Sequence, residues 1–186
     1  MSKHLKDLNI VLGVSGGIAA YKSADLASKL TSSGATVNCI LTANACELIK
    51  PKTFEAVTGQ PVYTEMWSDP SRHSITHISL AEKADVVVLA PATANIIGKV
   101  ANGICDDLLS TVMCAAWFKP VLVAPAMNNN MWSNPAVQKN IETLRQMKFN
   151  IIGPETGRLA CGTEGKGRMS EPADIIEQIK QMLSGN

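Results

Sequence analysis

The segment Asn9–Gly16, NIVLGVSG, decides the fold, because it is a short and almost wholly apolar run that ends in glycine. Such a run is typical of a strand that is buried on both faces of a parallel sheet. Two later segments repeat the pattern, DVVVLAP at 85–91 and VLVAP at 121–125. Weaker strand patterns at 36–42 and 150–152 complete the predicted sheet.

Helical patterns separate these strands. Apolar residues at helical spacing predict a first helix over 18–33, which ends before Gly34. His77 lies in an alternating segment, SITHISL at 74–80, that leads into the strand at 85–91. Strands that alternate with helices predict an α/β fold with a doubly wound parallel sheet, forming a single domain over 1–186. The further predicted helices cover 43–50, 52–58, roughly 94–117, 134–147 and 172–183.

Composition excludes several classes of protein. The chain has 186 residues, of which 46% are hydrophobic and 18% are charged, so it can form a core and is not of a disordered type. A net charge of +1 gives no electrostatic signature for binding nucleic acid or an anionic membrane. No apolar run approaches the roughly 20 residues that span a bilayer, and the N-terminal segment lacks the pattern of a signal peptide.

The five cysteines form no CxxC pair and no Cys/His cluster at zinc spacing. We therefore expect no metal site, and reduced thiols in a cytoplasmic protein. Cys39, Cys46, Cys105 and Cys114 lie in apolar segments, which predicts that they are small core residues. Cys161 has polar and glycine neighbours instead.

Small, polar loops follow four of the predicted strands, at 15–17, 42–44, 91–95 and 125–128. Parallel strands place these loops at one edge of the sheet, where nucleotide-like ligands bind. The first loop has neither the GxGxxG nor the Walker A spacing, so tight packing is an alternative interpretation. Thr42 stands where an acidic residue would hold the ribose of NAD, which leaves a mononucleotide such as FMN open.

Several polar residues have both a structural and a functional interpretation. Thr93 or Asn95 in PATAN either caps a helix or contacts a phosphate. Asn128, in PAMNNNMW at 125–132, donates its amide to a carboxylate, unless the run only forms a turn in which Asn129 or Asn130 caps a helix. A lone histidine such as His77 is structural by default, and its functional alternative is a general base.

The segment 157–168, GRLACGTEGKGR, follows the last predicted strand and has the glycine content of a mobile flap over a ligand. Arg158, Lys166 and Arg168 would lower the pKa of Cys161 there. The alternative is an exposed loop with an incidental thiol.

Four motifs, THISL, PATAN, PAMNNNMW and GRLACGTEGKGRM, resemble those of the flavin-containing cysteine decarboxylases in order and spacing, over about residues 8–183. The resemblance implies a flavodoxin-like, Rossmann-like three-layer sandwich that binds FMN. It also implies homotrimers, or dodecamers built of trimers, with FMN at the subunit interface. PATAN departs from the commoner PASAN, although threonine keeps the hydroxyl. The chain would correspond to the form without a fused synthetase.

The resemblance assigns roles to individual residues. His77 is the active-site histidine, Asn128 grips the substrate carboxylate, and Cys161 is the proton donor. Arg158 and Ala160 belong to the substrate-binding flap. The implied FMN site consists of Gly16, Gly17, Ile18, Thr42, Thr93, Ala94, Asn95 and Ala126.

The implied reaction converts 4′-phosphopantothenoyl-L-cysteine to 4′-phosphopantetheine in coenzyme A biosynthesis. FMN takes a hydride from the carbon that bears sulfur, and the resulting thioaldehyde accepts the electrons left by departing CO₂. The enethiolate is then reduced by the flavin hydride and a proton.

Four other interpretations are weaker. Peptidyl-cysteine decarboxylases stop at the enethiol, whereas the complete GRLACG motif favours the reductive step. Flavin prenyltransferases are not expected to combine PAMNNNMW with ACG. Phosphatase-inhibiting relatives carry long acidic extensions, and flavodoxin-like electron carriers are strongly acidic and need neither His77 nor Cys161.

Overall fold

A computed structural model describes residues 5–67, 76–158, 162 and 164–184 of the chain. Its main sheet has five strands in the order β2-β1-β3-β4-β5, and each neighbouring pair is parallel. The predicted doubly wound parallel sheet is confirmed. The strands are β1 Asn9–Val14, β2 Thr36–Leu41, β3 Val86–Ala92, β4 Val121–Pro125 and β5 Asn150–Ile151.

Helices cover both faces of this sheet and form a three-layer sandwich. Along β1, Ile10 and Leu12 pack into one apolar cluster with α1, α3 and α9, whereas Val11 packs into a second cluster with α5, α6 and α8. This alternation follows from the period of two in a strand. The helices are α1 Ala20–Ser32, α2 Ala43–Leu48, α3 Pro51–Thr58, α4 Thr76–Lys83, α5 Ala94–Ala101, α6 Leu108–Ala115, α7 Asn129–Trp132, α8 Pro135–Gln146 and α9 Pro172–Ser184.

Two predicted elements differ from the structure. The helical stretch over 94–117 is two helices, because α5 ends before Gly103, which has a φ of 67°, and Asp107 starts α6 with a capping box. The alternating segment around His77 is helical from residue 76, since α4 packs Leu80 and Ala81 into the second cluster.

A third difference is an antiparallel hairpin where only a flap was predicted. Its strands are β6 Glu155–Arg158 and β7 Glu164–Arg168, both later than the last predicted strand. Four glycines between 157 and 168 give this segment low strand propensity, so local sequence does not indicate the pairing.

The loops after β1, β2, β3 and β4 lie at one edge of the sheet, as parallel strands require. The hairpin reaches the same edge, since the Met127 N–H after β4 donates to the Gly167 carbonyl at 3.0 Å. In the part of the chain that the structure describes, no helix is long and apolar enough to cross a membrane.

Candidate cofactor and substrate site

A cavity of about 1040 Å³ opens at this edge of the sheet. Nine residues predicted for cofactor or substrate binding line it: Gly16, Gly17, Ile18, Thr42, Thr93, Asn95, Ala126, Asn128 and Arg158. Ala94 and His77 are described residues that are not part of this lining. Ala160 and Cys161 lie outside the described residues.

Ser15 joins the loop after β1 to the loop after β3. Its buried hydroxyl donates to the Pro91 carbonyl at 2.7 Å and accepts from the Thr93 N–H at 3.0 Å. A Cβ on Gly16 would lie 2.4 Å from the Asn44 Cβ, so only glycine permits the loop after β2 to pack this closely. The three loops therefore form one continuous wall, which we call the cradle (15–17, 42–44 and 93–95).

Both cradle threonines cap helices. The Thr42 hydroxyl accepts from the Ala45 N–H at 3.2 Å at the start of α2, and the Thr93 hydroxyl accepts from the Ile96 N–H at 3.5 Å at the start of α5. The capping interpretation of Thr93 is thus confirmed. The same residues face the cavity, so capping and ligand contact are compatible.

Asn128 also lines the cavity, in the loop between β4 and α7. Its side-chain oxygen accepts from the Asn130 N–H at 2.8 Å and caps the short helix α7. The asparagine run does supply a helix cap, but the expected cap at Asn129 or Asn130 is wrong, because both residues lie inside α7 and Asn128 is the capping residue. The contact with the Asn130 N–H orients the Asn128 side chain, and Asn128 also lines the cavity.

The hairpin packs closely on the Asn128 loop through two alternate glycines of β7. A Cβ on Gly167 would lie 2.0 Å from the Met127 carbonyl oxygen, and one on Gly165 would lie 2.9 Å from the Asn129 Cβ. Alternate residues share one face of a strand, so both glycines are required at this contact.

Among the described residues, four basic side chains and one acidic side chain line the cavity: Lys22, Lys99, Arg158, Arg168 and Asp107. Lys22 is only 7% exposed, and its ammonium group donates to the Met169 carbonyl at 3.1 Å and to Glu171 at 2.8 Å. The hydrogen bond from Lys22 lowers the pKa of Glu171 below its ordinary value.

Lys99 forms ion pairs with Asp106 at 2.7 Å and Asp107 at 2.8 Å. The hydrogen bonds that Lys99 donates to these two carboxylates raise the pKa of Lys99. Burial opposes ionisation of Asp107, but hydrogen bonds from Lys99 and Ser110 outweigh it and lower the pKa of Asp107.

Sequence reasoning missed Lys22, Lys99 and Asp107 as parts of the cavity wall. Lys22 lies in the first turn of α1, shortly after the predicted cofactor residues at 16–18, and this position could have indicated it. The Lys99 ion pairs depend on the loop between α5 and α6, which the prediction of one continuous helix concealed.

His77 is half-buried on α4. The expectation that four cysteines are core residues holds for Cys39 only, where burial raises the pKa to about 12. Cys46 is half-buried, whereas Cys105, in the loop between α5 and α6, and Cys114, on α6, are exposed.

The cradle suits FMN. Its glycines leave no side chain between the backbone and a ligand, its hydroxyl groups are neutral donors, and α5 begins at it with a helix N-terminus that favours a phosphate. The volume is sufficient for a flavin together with a small substrate.

Comparison with known proteins agrees with this geometry. The family model described as Flavoprotein matches residues 1–184. The bifunctional coenzyme A biosynthesis protein CoaBC of Bacillus subtilis (strain 168) is 48% identical over 173 residues, which are 93% of this chain and 42% of that protein. CoaBC of Escherichia coli (strain K12) is 45% identical over 168 residues, 90% of this chain and 41% of that protein. The chain thus spans about two fifths of these relatives.

Two solved structures match this chain over almost the whole length of both proteins. A PPC decarboxylase variant complexed with pantothenoylaminoethenethiol superposes with a TM-score of 0.86 at 32% identity, covering 96% of this chain and 100% of that one. The FMN binding protein AtHal3 superposes with a TM-score of 0.84 at 31% identity, covering 97% and 99% of the two chains.

Proposed function

Because the chain belongs to the flavoprotein family, we propose that it is an FMN-dependent phosphopantothenoylcysteine decarboxylase. Its reaction would convert 4′-phosphopantothenoyl-L-cysteine to 4′-phosphopantetheine in coenzyme A biosynthesis, with residues 1–186 as one flavoprotein domain. The observation that carries this proposal is a single cavity that is lined both by an FMN-compatible cradle and by Asn128. The whole-chain likeness to PPC decarboxylase supports the choice of substrate.

FMN would be held by six cradle residues, Gly16, Gly17, Thr42, Thr93, Ala94 and Asn95, together with Ile18 and Ala126. When bound, the flavin supplies a reversible hydride acceptor, so that the cysteine carbon next to sulfur is oxidised before CO₂ leaves. The protein itself orients the substrate and moves protons.

We assign Asn128 to the substrate carboxylate, because it lines the cavity and an amide N–H is a suitable donor to a carboxylate. His77 acts as the base that assists decarboxylation, and Cys161 acts as the acid in the final reduction. Arg158 and Ala160 contact the substrate. The roles of Ala160 and Cys161 rest on the sequence motif alone.

We further infer a homo-oligomer, a trimer or a dodecamer of trimers, in which a neighbouring subunit supplies His77. The position of His77 outside the cavity lining of its own chain supports this arrangement. Apolar side chains at the cavity mouth also support it, since Ile18 and Tyr21 are each 64% exposed and Met131 is 48% exposed.

A cytoplasmic location is the third part of the proposal. The described cysteines all carry free thiols, which persist in reducing compartments, and the relatives are biosynthetic proteins.

The proposed function is tested by CO₂ release from 4′-phosphopantothenoylcysteine in the presence of FMN-loaded protein. We expect His77→Asn to bind FMN like the wild type and to release CO₂ about 10²–10⁴-fold more slowly, as is usual when a general base is lost. If this variant released CO₂ at the wild-type rate, His77 would not be the base. Absence of CO₂ release by the wild-type holoprotein would overturn the function.

The role of Cys161 is tested separately. Cys161→Ser should still release CO₂ but accumulate the oxidised enethiol together with reduced flavin, because the final protonation is lost. Formation of fully reduced product by this variant would refute the proton-donor role.

A further inference from the structure

Positive charge is unevenly distributed around the cavity. On the α5–α6 side, Lys99 faces two carboxylates, those of Asp106 and Asp107. On the hairpin side, Lys22 and Arg168 share the single carboxylate of Glu171. The first side therefore carries a net negative charge and the second a net positive charge.

Arg158 adds to the positive side. It is the last residue of β6, it is exposed, and it lines the cavity. Glu164 is its register partner on β7, yet among the described residues Arg158 forms no ion pair with it or with any other carboxylate. Of the four basic groups on the wall, this guanidinium is the one whose charge is not already engaged in the described part of the chain.

The hairpin links Arg158 to the Asn128 loop. Gly167 of β7 accepts from the Met127 N–H at 3.0 Å, and Arg158 pairs with Glu164, three residues away along the same strand. At about 3.3 Å per residue, the Arg158 backbone lies roughly 10 Å along the hairpin from that contact. Two anionic groups of one extended molecule can thus be bound at separate points of one wall.

We propose that Arg158 binds the phosphate group of the substrate and makes the enzyme prefer the phosphorylated cysteine conjugate to its dephosphorylated form. This inference rests on the proposed function, in which the substrate carries a carboxylate near Asn128 and a phosphate at its far end. A guanidinium group suits this task, because its planar donors match two phosphate oxygens at once. An exposed site is screened by salt, so we expect a moderate preference.

The test compares kcat/KM for 4′-phosphopantothenoylcysteine and for pantothenoylcysteine with FMN-loaded protein. We expect the wild type to prefer the phosphorylated substrate about tenfold, the size of one charge-assisted contact at a partly exposed site. In Arg158→Gln the ratio of kcat/KM for the phosphorylated substrate to kcat/KM for the dephosphorylated one should fall to about one. Arg158→Lys should keep part of the preference. Raising the ionic strength should reduce the ratio in the wild type and in Arg158→Lys, but not in Arg158→Gln.

Arg145→Gln is the matched control, since Arg145 is exposed on α8, pairs with Glu142, and is not a cavity residue. Its ratio should equal that of the wild type. A wild-type ratio near one would overturn the assignment. So would a ratio in Arg158→Gln that equals the wild-type ratio, since the substitution would then affect both substrates equally. If the wild type decarboxylates neither substrate, the proposed function itself fails, which is a distinguishable result.

Discussion

The cradle and the hairpin meet at one cavity but are held in place by different means. The cradle loops follow strands of the main sheet, and every residue of β3 is buried. In the hairpin, only Gly167 is buried among the described residues of its two strands. The cradle, which is assigned to the cofactor, is therefore held in place by the core. The hairpin, which is assigned to the substrate, is held in place by a few specific contacts.

Those few contacts are identifiable. Gly167 packs against the Met127 carbonyl, and Lys22 of α1 binds the Met169 carbonyl and Glu171 just after β7. The hairpin can therefore be weakened without changing the sheet, and the cradle can be altered without changing the hairpin.

The largest effect is expected in the cradle, from Gly16→Ala. Its Cβ would lie 2.4 Å from the Asn44 Cβ and 2.9 Å from the Asn44 carbonyl carbon, so the loop after β1 must move. Overpacking of this kind costs about 1–3 kcal/mol, which predicts a roughly 10- to 100-fold weaker affinity for FMN. Flavin fluorescence titration measures it.

Gly98→Ala is the control for that substitution, because its Cβ would make only an ordinary contact, 3.5 Å from the Asn140 side-chain nitrogen. It should bind FMN with wild-type affinity. If Gly16→Ala also purified with a full complement of tightly bound flavin, the cradle would not be the cofactor site.

The hairpin provides the second prediction, Gly167→Ala. Because the new Cβ would lie 2.0 Å from the Met127 carbonyl oxygen, the hairpin and the Asn128 loop must separate. A displacement of about 1 Å can cost roughly 10²-fold in rate, so we expect decarboxylation to fall by that factor while FMN stays bound. Steady-state CO₂ release and the flavin absorbance spectrum measure the two effects.

Gly157→Ala tests whether that loss is specific to the Met127 contact. This glycine lies in the same hairpin, but its Cβ would meet only the Arg168 side chain at 3.6 Å. We expect near wild-type decarboxylation. Equal losses in both glycine variants would indicate a general effect on the hairpin, and loss of flavin in Gly167→Ala would contradict the independence of the two regions.

The smallest effect is expected from Glu171→Gln, which removes the carboxylate that Lys22 and Arg168 share. Glu171 is half exposed, so we expect a loss of only about 1 kcal/mol in the free energy of unfolding at pH 7. Its pKa is lowered in the folded chain, so this stabilisation is present above the ordinary Glu pKa of about 4.3. It is lost as the pH falls through the folded-state pKa.

Urea unfolding at neutral and at acidic pH measures the difference in the free energy of unfolding between the wild type and Glu171→Gln. Glu142→Gln, which removes an exposed pair 3.6 Å from Arg145, should have a smaller effect at pH 7. If the difference in the free energy of unfolding between the wild type and Glu171→Gln increased towards acidic pH, the role of this carboxylate would be contradicted.

The main sheet and the cradle could be predicted because their signals are local. Runs such as 85–91 are apolar throughout since both faces of β3 are covered, and small polar residues follow where the strands end. Thr93 was also recognisable as a helix cap from its position before α5.

Features that depend on distant residues could not be predicted in this way. The Lys22–Glu171 pair joins positions 149 residues apart, and nothing near Lys22 indicates its partner. The hairpin was missed because glycines weaken its strand pattern, although the alternation of Gly165 and Gly167 is a signal of close backbone packing on one strand face. The helix at His77 was missed because tertiary packing of Leu80 and Ala81 outweighs a short alternating pattern.

The most direct test of the proposed function is the mass of the product that FMN-loaded protein forms from 4′-phosphopantothenoylcysteine. We expect a product that is lighter than the substrate by one CO₂ and carries a fully reduced thiol, because the hydride and the proton are both returned. A product that lacks CO₂ and two further hydrogens would contradict the complete cycle and indicate an enethiol-forming enzyme. Unchanged substrate in the presence of a yellow, flavin-loaded protein would contradict decarboxylation of this substrate altogether.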